Sequence, residues 1–387
     1  MTNFDVIPNR QNTSSEKWDG MKEVYGTDNL IPLWVADMDF KTPDFILNAL
    51  QKKLDFGVLG YEIYRDELTN AIISWEEREH NFKPCPEDVL FSHGVINGLA
   101  FTLEAITNKG DGVIYQPPVY GPFINTIKEM GRRTTQNPLV FKDNKWQINF
   151  DELESLITPN CRVLLFCSPH NPVGRVWNKD ELQKLAEIAI KKDLVIISDE
   201  IHQDFCYSGF CHIPTATVAG MSQRVVTITA PSKTFNVAGL KGSCVIIQNK
   251  EIRDKYKAVQ SAFHLKDIGI FERCEMETAY NEGSEWKNEL VAYLEKNRDF
   301  AYDFIKKYLP RAVVTRPEGT YLMWIDFSGY GFKDSVELQK FLVEKAKIAL
   351  TSAPYCGETK AFARLNLGTS HAMLEIGLNR LKNALEG

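Results

Sequence analysis

The sequence lacks a surplus of positive charge, lacks any CxxC pair, and has no apolar run near the ~20 residues that a membrane span needs. Each absence excludes something. Lys and Arg total 45 against 51 Asp and Glu, and a net charge of −6 leaves no electrostatic footing for nucleic acid. Eight cysteines are scattered along the chain, which reads as reduced thiols and not as a disulfide frame or a zinc cage. The opening "MTNFDVIPNR" has no basic-then-apolar pattern of a secretion signal, so a cytoplasmic protein is expected. No HExxH, GxSxG, P-loop or GxGxxG string occurs, which argues against metalloprotease, hydrolase, NTPase and dinucleotide readings. Repeats and low-complexity tracts are absent too.

What is present is ample material for a core: 387 residues, 44% of them apolar and 25% charged. From about residue 89, short runs rich in Val, Ile and Leu alternate with amphipathic segments. The runs are 88–92, 112–116, 162–167, 194–198, 225–230 and 244–248. Between two of them, 179–193 places Leu182, Leu185, Ala186 and Ala189 on one helical face, with Asn178 as N-cap and Glu181 completing a capping box. The expected fold is α/β, with a large, mostly parallel sheet sandwiched by helices over 47–286. The remainder reads as a small α+β module from 287–387. It has a long helix at 284–309, two strands around a Pro-Glu-Gly turn in 312–327, a helix at 335–349, a strand at 362–367 and a last helix at 371–385. Residues 1–46 are expected to fold back onto these units.

Ligands of open α/β sheets bind beyond the carboxyl ends of the strands. Applied here, that rule gathers "HGVING", "PPVYGPF", "SPHNPVG", "DEIHQDF" and "PSK" at one edge. Lys233 stands out. A lysine this close behind a buried run is either snorkelling or working. Asp199 is either a turn or cap residue, or a carboxylate kept ionised in a cleft by a cation. That cation is Lys233 in a direct ion pair, or else both residues face one cofactor. The glycine at 94 opens a helical pattern, so the amides of Gly94, Val95 and Ile96 can meet an anion.

"SPHNPVGRVW", "SDEIHQDF" and "SKTFNVAGLKG", in this order and spacing, resemble the pyridoxal 5′-phosphate (PLP) enzymes of the aspartate-aminotransferase fold. "PLWVADMDF" (32–40) and "DEIH" are similar to the cystathionine β-lyase and cysteine-S-conjugate β-lyase branch of that superfamily. The resemblance runs from about Pro32 to Leu367. It implies PLP as cofactor, bonded as an imine to Lys233, with Asp199 pairing the pyridinium nitrogen. It further implies Asn171 as donor to the ring's phenolic oxygen and His202 near that oxygen, where aminotransferases of this fold usually carry tyrosine. A structural His202 bonded to Asp199 is the competing reading. Tyr120 would stack on the ring, unless it is a core tyrosine. The phosphate would meet Gly94, Val95, Ile96, Ser232 and Lys241, the last a point charge where many relatives place arginine. Tyr61, with Tyr64 as a weaker candidate, would reach the phosphate of a neighbouring subunit, which makes a homodimer with shared sites. Arg364, in "FARLNL", would bind the substrate carboxylate bidentately, with Asn171 beside it; a surface ion pair is its bland alternative.

The implied reaction is β-elimination on sulfur-containing L-amino acids, giving a thiol, pyruvate and ammonia. Lys233 would be the base, and Lys233, Tyr61 or Tyr120 the group that protonates the leaving sulfur. Two alternatives stand beside it: an aminotransferase, and a protein of this fold that acts by binding a partner. No metal is expected.

Overall fold

A computed structural model describes residues 2–63 and 66–387. Its centre is a seven-stranded sheet. In chain order the strands are β1 (Val89–His93), β2 (Gly112–Tyr115), β3 (Arg133–Gln136), β4 (Val163–Cys167), β5 (Val195–Asp199), β6 (Val225–Thr229) and β7 (Gly242–Ile247). Their spatial order is β1-β7-β6-β5-β4-β2-β3, parallel throughout except for β7, which runs antiparallel to both neighbours.

The near-continuous apolar runs follow from burial on both faces. Val113, Leu165, Ile197 and Val226 point into one core, against the helices Val95–Ile106, Gly121–Glu129 and Lys250–Phe263. Their neighbours Ile114, Leu164, Ile196 and Val225 point into the opposite core, where helix Lys179–Lys192 contributes Leu182, Leu185, Ala186 and Ala189. Burying each Leu, Ile or Val stabilises the fold by about 1.5–3 kcal/mol. The capping box is present: Asn178 Oδ1 accepts from the Glu181 amide and Glu181 Oε2 from the Asn178 amide, each at 2.9 Å. Strand β3 is the one absent from the sequence expectation. It sits at the sheet edge and is half exposed, so its "RTTQ" carries no apolar signature.

The C-terminal part builds a four-stranded antiparallel sheet in the order Val313–Val314, Leu322–Asp326, Phe362–Asn366, Thr351–Ser352. Helices Ser284–Tyr308 and His371–Glu386 pack on each other beside it. The helix expected over 335–349 is shorter. It runs Ser335–Phe341, widens into a π-turn at Leu342–Ala346, and stops where Lys347 takes φ +55°. Ile348 and Ala349 then pair in parallel with Ile31 and Pro32. Two β-branched or small apolar residues gain more from that ladder than from another helical turn. The pairing also brings the N-terminal segment onto the small sheet: Trp34 is buried against Ala349, and Asn366 Nδ2 donates to the carbonyls of Val35 (2.6 Å) and Asp37 (2.9 Å).

Candidate active site

The carboxyl ends of β1, β4, β5 and β6 open into a cleft of 330 Å³. Asp199 is the last residue of β5, and Asn171 follows β4 in a turn. Ser232 and Lys233 lie just past β6, and Tyr120 caps helix Gly121–Glu129 beyond β2. Gly94, with φ +88°, turns the chain from β1 into helix Val95–Ile106, which has no side-chain cap. A side chain at 94 would be strained at that φ. The leading amides of the helix therefore face the cleft without intrahelical partners. Lys241 reaches the same edge for a different reason: β7 runs antiparallel, so its amino end lies where the other strands end. All of these residues, with His202, line the one cleft.

Lys233 is partly buried, and its Nζ donates to the Ala36 carbonyl at 2.7 Å, an oxygen shared with the Tyr321 hydroxyl at 3.0 Å. Burial pushes the amine's pKa down; Asp37 opposes that shift, Arg364 adds to it, and Asp199 opposes it. The neutral amine is thus favoured relative to a surface lysine. Burial pushes the Asp199 carboxyl up to about 7, against the Ile201 amide, which donates to Oδ1 at 3.1 Å, and against the charge of Lys233. Asp199 accordingly fills the turn role as well as facing the cleft. His202 is buried, its Nδ1 has no partner, and no hydrogen bond joins it to Asp199 among the described residues. Burial, then Lys233 and Arg364, hold the imidazole neutral with its pKa lowered to about 3. The competing reading of His202 as a structural partner of Asp199 is not what the geometry gives. Tyr120 is a half-buried ring whose pKa is raised by burial and then by Asp199, so its phenol keeps its proton.

Arg364 does not line the cleft itself; it sits behind Asn171, which does. Its Nη1 donates to Asn171 Oδ1, and its Nη2 to the Trp34 carbonyl and to Thr351 Oγ1, each at 3.1 Å. Nε has no partner. It is 2% exposed, so the surface ion-pair alternative fails. Among the described residues no carboxylate pairs with it, and a buried cation without an anion calls for one from outside.

Tyr61 is not brought to this cleft. It is 111% exposed, in a stretch where Phe56, Val58, Leu59 and Ile63 are exposed as well. Tyr64 lies outside the described residues. The sequence reading missed the carbonyls of Trp34 and Ala36, which hold Arg364 and Lys233. Main-chain acceptors leave no residue-type signal, and only the similarity of "PLWVADMDF" pointed to that segment.

The family pattern described as aminotransferase class I and II matches residues 28–381. The chain belongs to that family. Cystathionine beta-lyase PatB of Bacillus subtilis is 39% identical, with 99% of this chain and 100% of that one covered. Cystalysin from Treponema denticola, whose crystal structure contains pyridoxal 5′-phosphate, superposes with a TM-score of 0.95 at 35% identity, covering 100% of this chain and 99% of that one. The PLP-bound C–S lyase of Staphylococcus hominis gives 0.92 at 33%, with 99% of each chain covered.

The aminotransferase-family cleft fits this cofactor on its own chemistry. An uncapped helix start, Ser232 and Lys241 offer donors and charge to a phosphate at one end. A buried carboxylate with a single amide donor suits a protonated ring nitrogen at the other. His202 Nδ1 lacks a partner, and the Lys233 amine is biased toward neutrality.

Asp199 also yields a stability prediction for the protein without PLP. The folded carboxyl keeps its proton up to about 7, whereas an unfolded aspartate releases it near ~3.9. Between those values the folded state binds more protons, so stability is fully present below the unfolded value and falls as pH rises, by up to about 1.4 kcal/mol per pH unit. Asn at 199 does not titrate. The stability of Asp199→Asn relative to wild type should therefore grow between about pH 4 and about pH 7 and level off above. Urea unfolding of both PLP-free proteins at several pH values measures it; a difference independent of pH would show that the buried carboxyl carries no such shift.

Proposed function

We infer that the protein catalyses PLP-dependent β-elimination on sulfur-containing L-amino acids such as L-cystathionine, cysteine or cysteine S-conjugates, releasing a thiol, pyruvate and ammonia. One observation carries it: a lysine amine and a buried carboxylate share one cleft, and a buried arginine with no carboxylate partner among the described residues is bonded to Asn171 on its wall. Names of relatives add weight, since PatB and the S. hominis protein are called a cystathionine β-lyase and a C–S lyase.

Gly94, Val95, Ile96, Ser232 and Lys241 would hold the phosphate, and Lys233 the aldehyde carbon. Asp199 would pair the ring nitrogen, Asn171 and His202 would flank the phenolic oxygen, and Tyr120 would cover the ring face. When bound, the cofactor supplies an electron sink for charge left at the substrate Cα. The chain's own residues do the rest. Arg364 receives the α-carboxylate through its guanidinium and, with Asn171, fixes which Cα bond faces Lys233. The Lys233 amine, shifted toward its neutral form by burial, takes the Cα proton as general base. Asp199 stays ionised against the ring cation, which offsets its burial. As the C–S bond breaks, a proton held on Lys233, on Tyr120 or on Tyr61 of a neighbouring copy goes to the thiolate sulfur.

The exposed apolar stretch from Phe56 to Ile63 supports a homodimer in which Tyr61 completes the neighbour's phosphate site. A large unit at 47–286, a second formed by 1–46 with 287–387, and a cytoplasmic location complete the proposal. Among the described residues no helix is long and apolar enough to cross a membrane.

The family's own description favours aminotransfer as the second reading, because both reactions use the same base and sink. Incubation with L-cystathionine separates them. Pyruvate and thiol should appear without any 2-oxo acid; strict dependence of turnover on 2-oxoglutarate would make the protein an aminotransferase instead.

A further inference from the structure

The segment that carries Lys233 has no ladder to hold it. From Pro231 to Leu240, between β6 and β7, the chain forms turns only. Two polar side chains anchor it just past the lysine, Thr234 at the next position and Asn236 two further on. Asn236, at φ +56°, donates from Nδ2 to the carbonyls of Met38 (3.0 Å) and Phe40 (2.6 Å) and accepts the Met38 amide at 3.2 Å. That ties the loop to the N-terminal segment whose Ala36 carbonyl also takes the Lys233 amine. Thr234 is fully buried, and its Oγ1 donates to Asp204 Oδ2 at 2.5 Å. The other oxygen of Asp204 meets Nε2 of His80, the last residue of helix Glu67–His80, at 2.8 Å.

Both Asp204 and His80 are buried, and neither lines the cleft or takes part in the chemistry above. Burial opposes ionisation of Asp204, but the hydrogen bond and charge of His80, together with the Thr234 hydroxyl, outweigh it and hold the carboxyl below its usual range. Burial likewise opposes the charge on His80, yet Asp204 and Glu76 outweigh it and raise its pKa. Both shifts favour the charged forms of the pair, and a charged acceptor makes a hydrogen bond roughly twice as strong as a neutral one. Asp204 also sits in the segment that leaves β5, five residues after Asp199. The Thr234–Asp204 bond thereby locks the lysine's loop to the segment that carries the ring-pairing carboxylate.

We propose that Asp204, held by His80, is a positioning residue that sets Lys233 against Asp199 through the hydroxyl of Thr234. It rests on the reading of Lys233 as the PLP-bonding amine and base. Without the Thr234 bond, Asn236 and the buried Phe235, packed on Phe45, Trp75 and Trp286, would still hold the far side of the loop, but the residue beside Lys233 would be free to shift, and the amine at the end of a four-carbon stem would shift with it. Small misplacements of a reacting group cost large factors in rate.

The test uses the full-length protein with Thr234→Val, Thr234→Ser and Asp204→Asn. Thr234→Val is close to isosteric and leaves the Asp204–His80 pair intact. It should lower kcat per mole of bound PLP about tenfold, with KM within about twofold of wild type. It should also slow uptake of PLP by the PLP-free protein, followed by absorbance, by a similar factor. Thr234→Ser should restore both. Asp204→Asn should follow Thr234→Val, and if it fails to fold, the threonine pair decides alone. If Thr234→Val lowers only the melting temperature and leaves kcat and the uptake rate at wild-type values, the residues are merely structural and the proposal is overturned. Failure of the wild type itself to take up PLP would sink the functional reading instead, so the two failures are distinguishable.

Discussion

Replacing Lys233 with alanine should lower kcat for β-elimination by about 10²–10⁴-fold, the range expected for loss of a positioned general base. The variant should still fold. Among the described residues the amine makes one hydrogen bond, to the Ala36 carbonyl, and Tyr321 continues to satisfy that oxygen. Charge also favours removal over retention in a purely structural sense, because burial already disfavours the ammonium at this position. PLP should then bind without becoming fixed to the chain by borohydride, whereas the wild type should be fixed. A small primary amine added to the assay should recover part of the lost rate, since it can accept the Cα proton from the vacated volume. Pyruvate release measures all of this. If the variant keeps more than about a tenth of wild-type turnover, Lys233 is not the base. A role that survives the substitution intact would instead favour the partner-binding alternative.

The second large effect belongs to Arg364. Its guanidinium is buried, held in orientation by Asn171, Trp34 and Thr351, and has no carboxylate partner among the described residues. A planar fork fixed in this way recognises a carboxylate by geometry, and a lysine would offer only a point charge. Arg364→Lys should therefore reduce kcat/KM for L-cystathionine by about 10²–10³-fold, equivalent to the several kcal/mol of a desolvated charge pair. KM should bear much of the loss. Specificity gives the sharper test. Wild type should discriminate strongly against a substrate amine that lacks the α-carboxylate, and the variant should lose most of that discrimination. An undiminished preference for the carboxylate in Arg364→Lys would mean that another residue binds it.

How much of this was legible without coordinates differs from residue to residue. The β-strands were legible because double-sided burial demands long apolar runs, and β3 was not, because an edge strand needs none. The helix Lys179–Lys192 was legible to its capping box, since both its face and its cap are local. The end of the helix expected at 335–349 was not: pairing of Ile348 and Ala349 with Ile31 and Pro32 decides it, more than 300 residues away in the chain. At the site, residue types and the strand-end rule brought Gly94, Tyr120, Asn171, Asp199, His202, Ser232 and Lys233 to one edge. Similarity to a known family supplied their expected roles and added Arg364. No local pattern could supply the Ala36 carbonyl, the reversed β7 that delivers Lys241, or the Thr234–Asp204–His80 chain.

The sequence alone therefore determined the layered α/β class and the identity of most groups in the cleft, because periodicity, turn chemistry and residue type act over a few neighbouring positions. Tertiary structure decided their charge states and their aim. Depth of burial sets whether Asp199 holds its proton and makes Lys233 give one up more readily, and contacts between segments hundreds of residues apart fix where the amine and the guanidinium point.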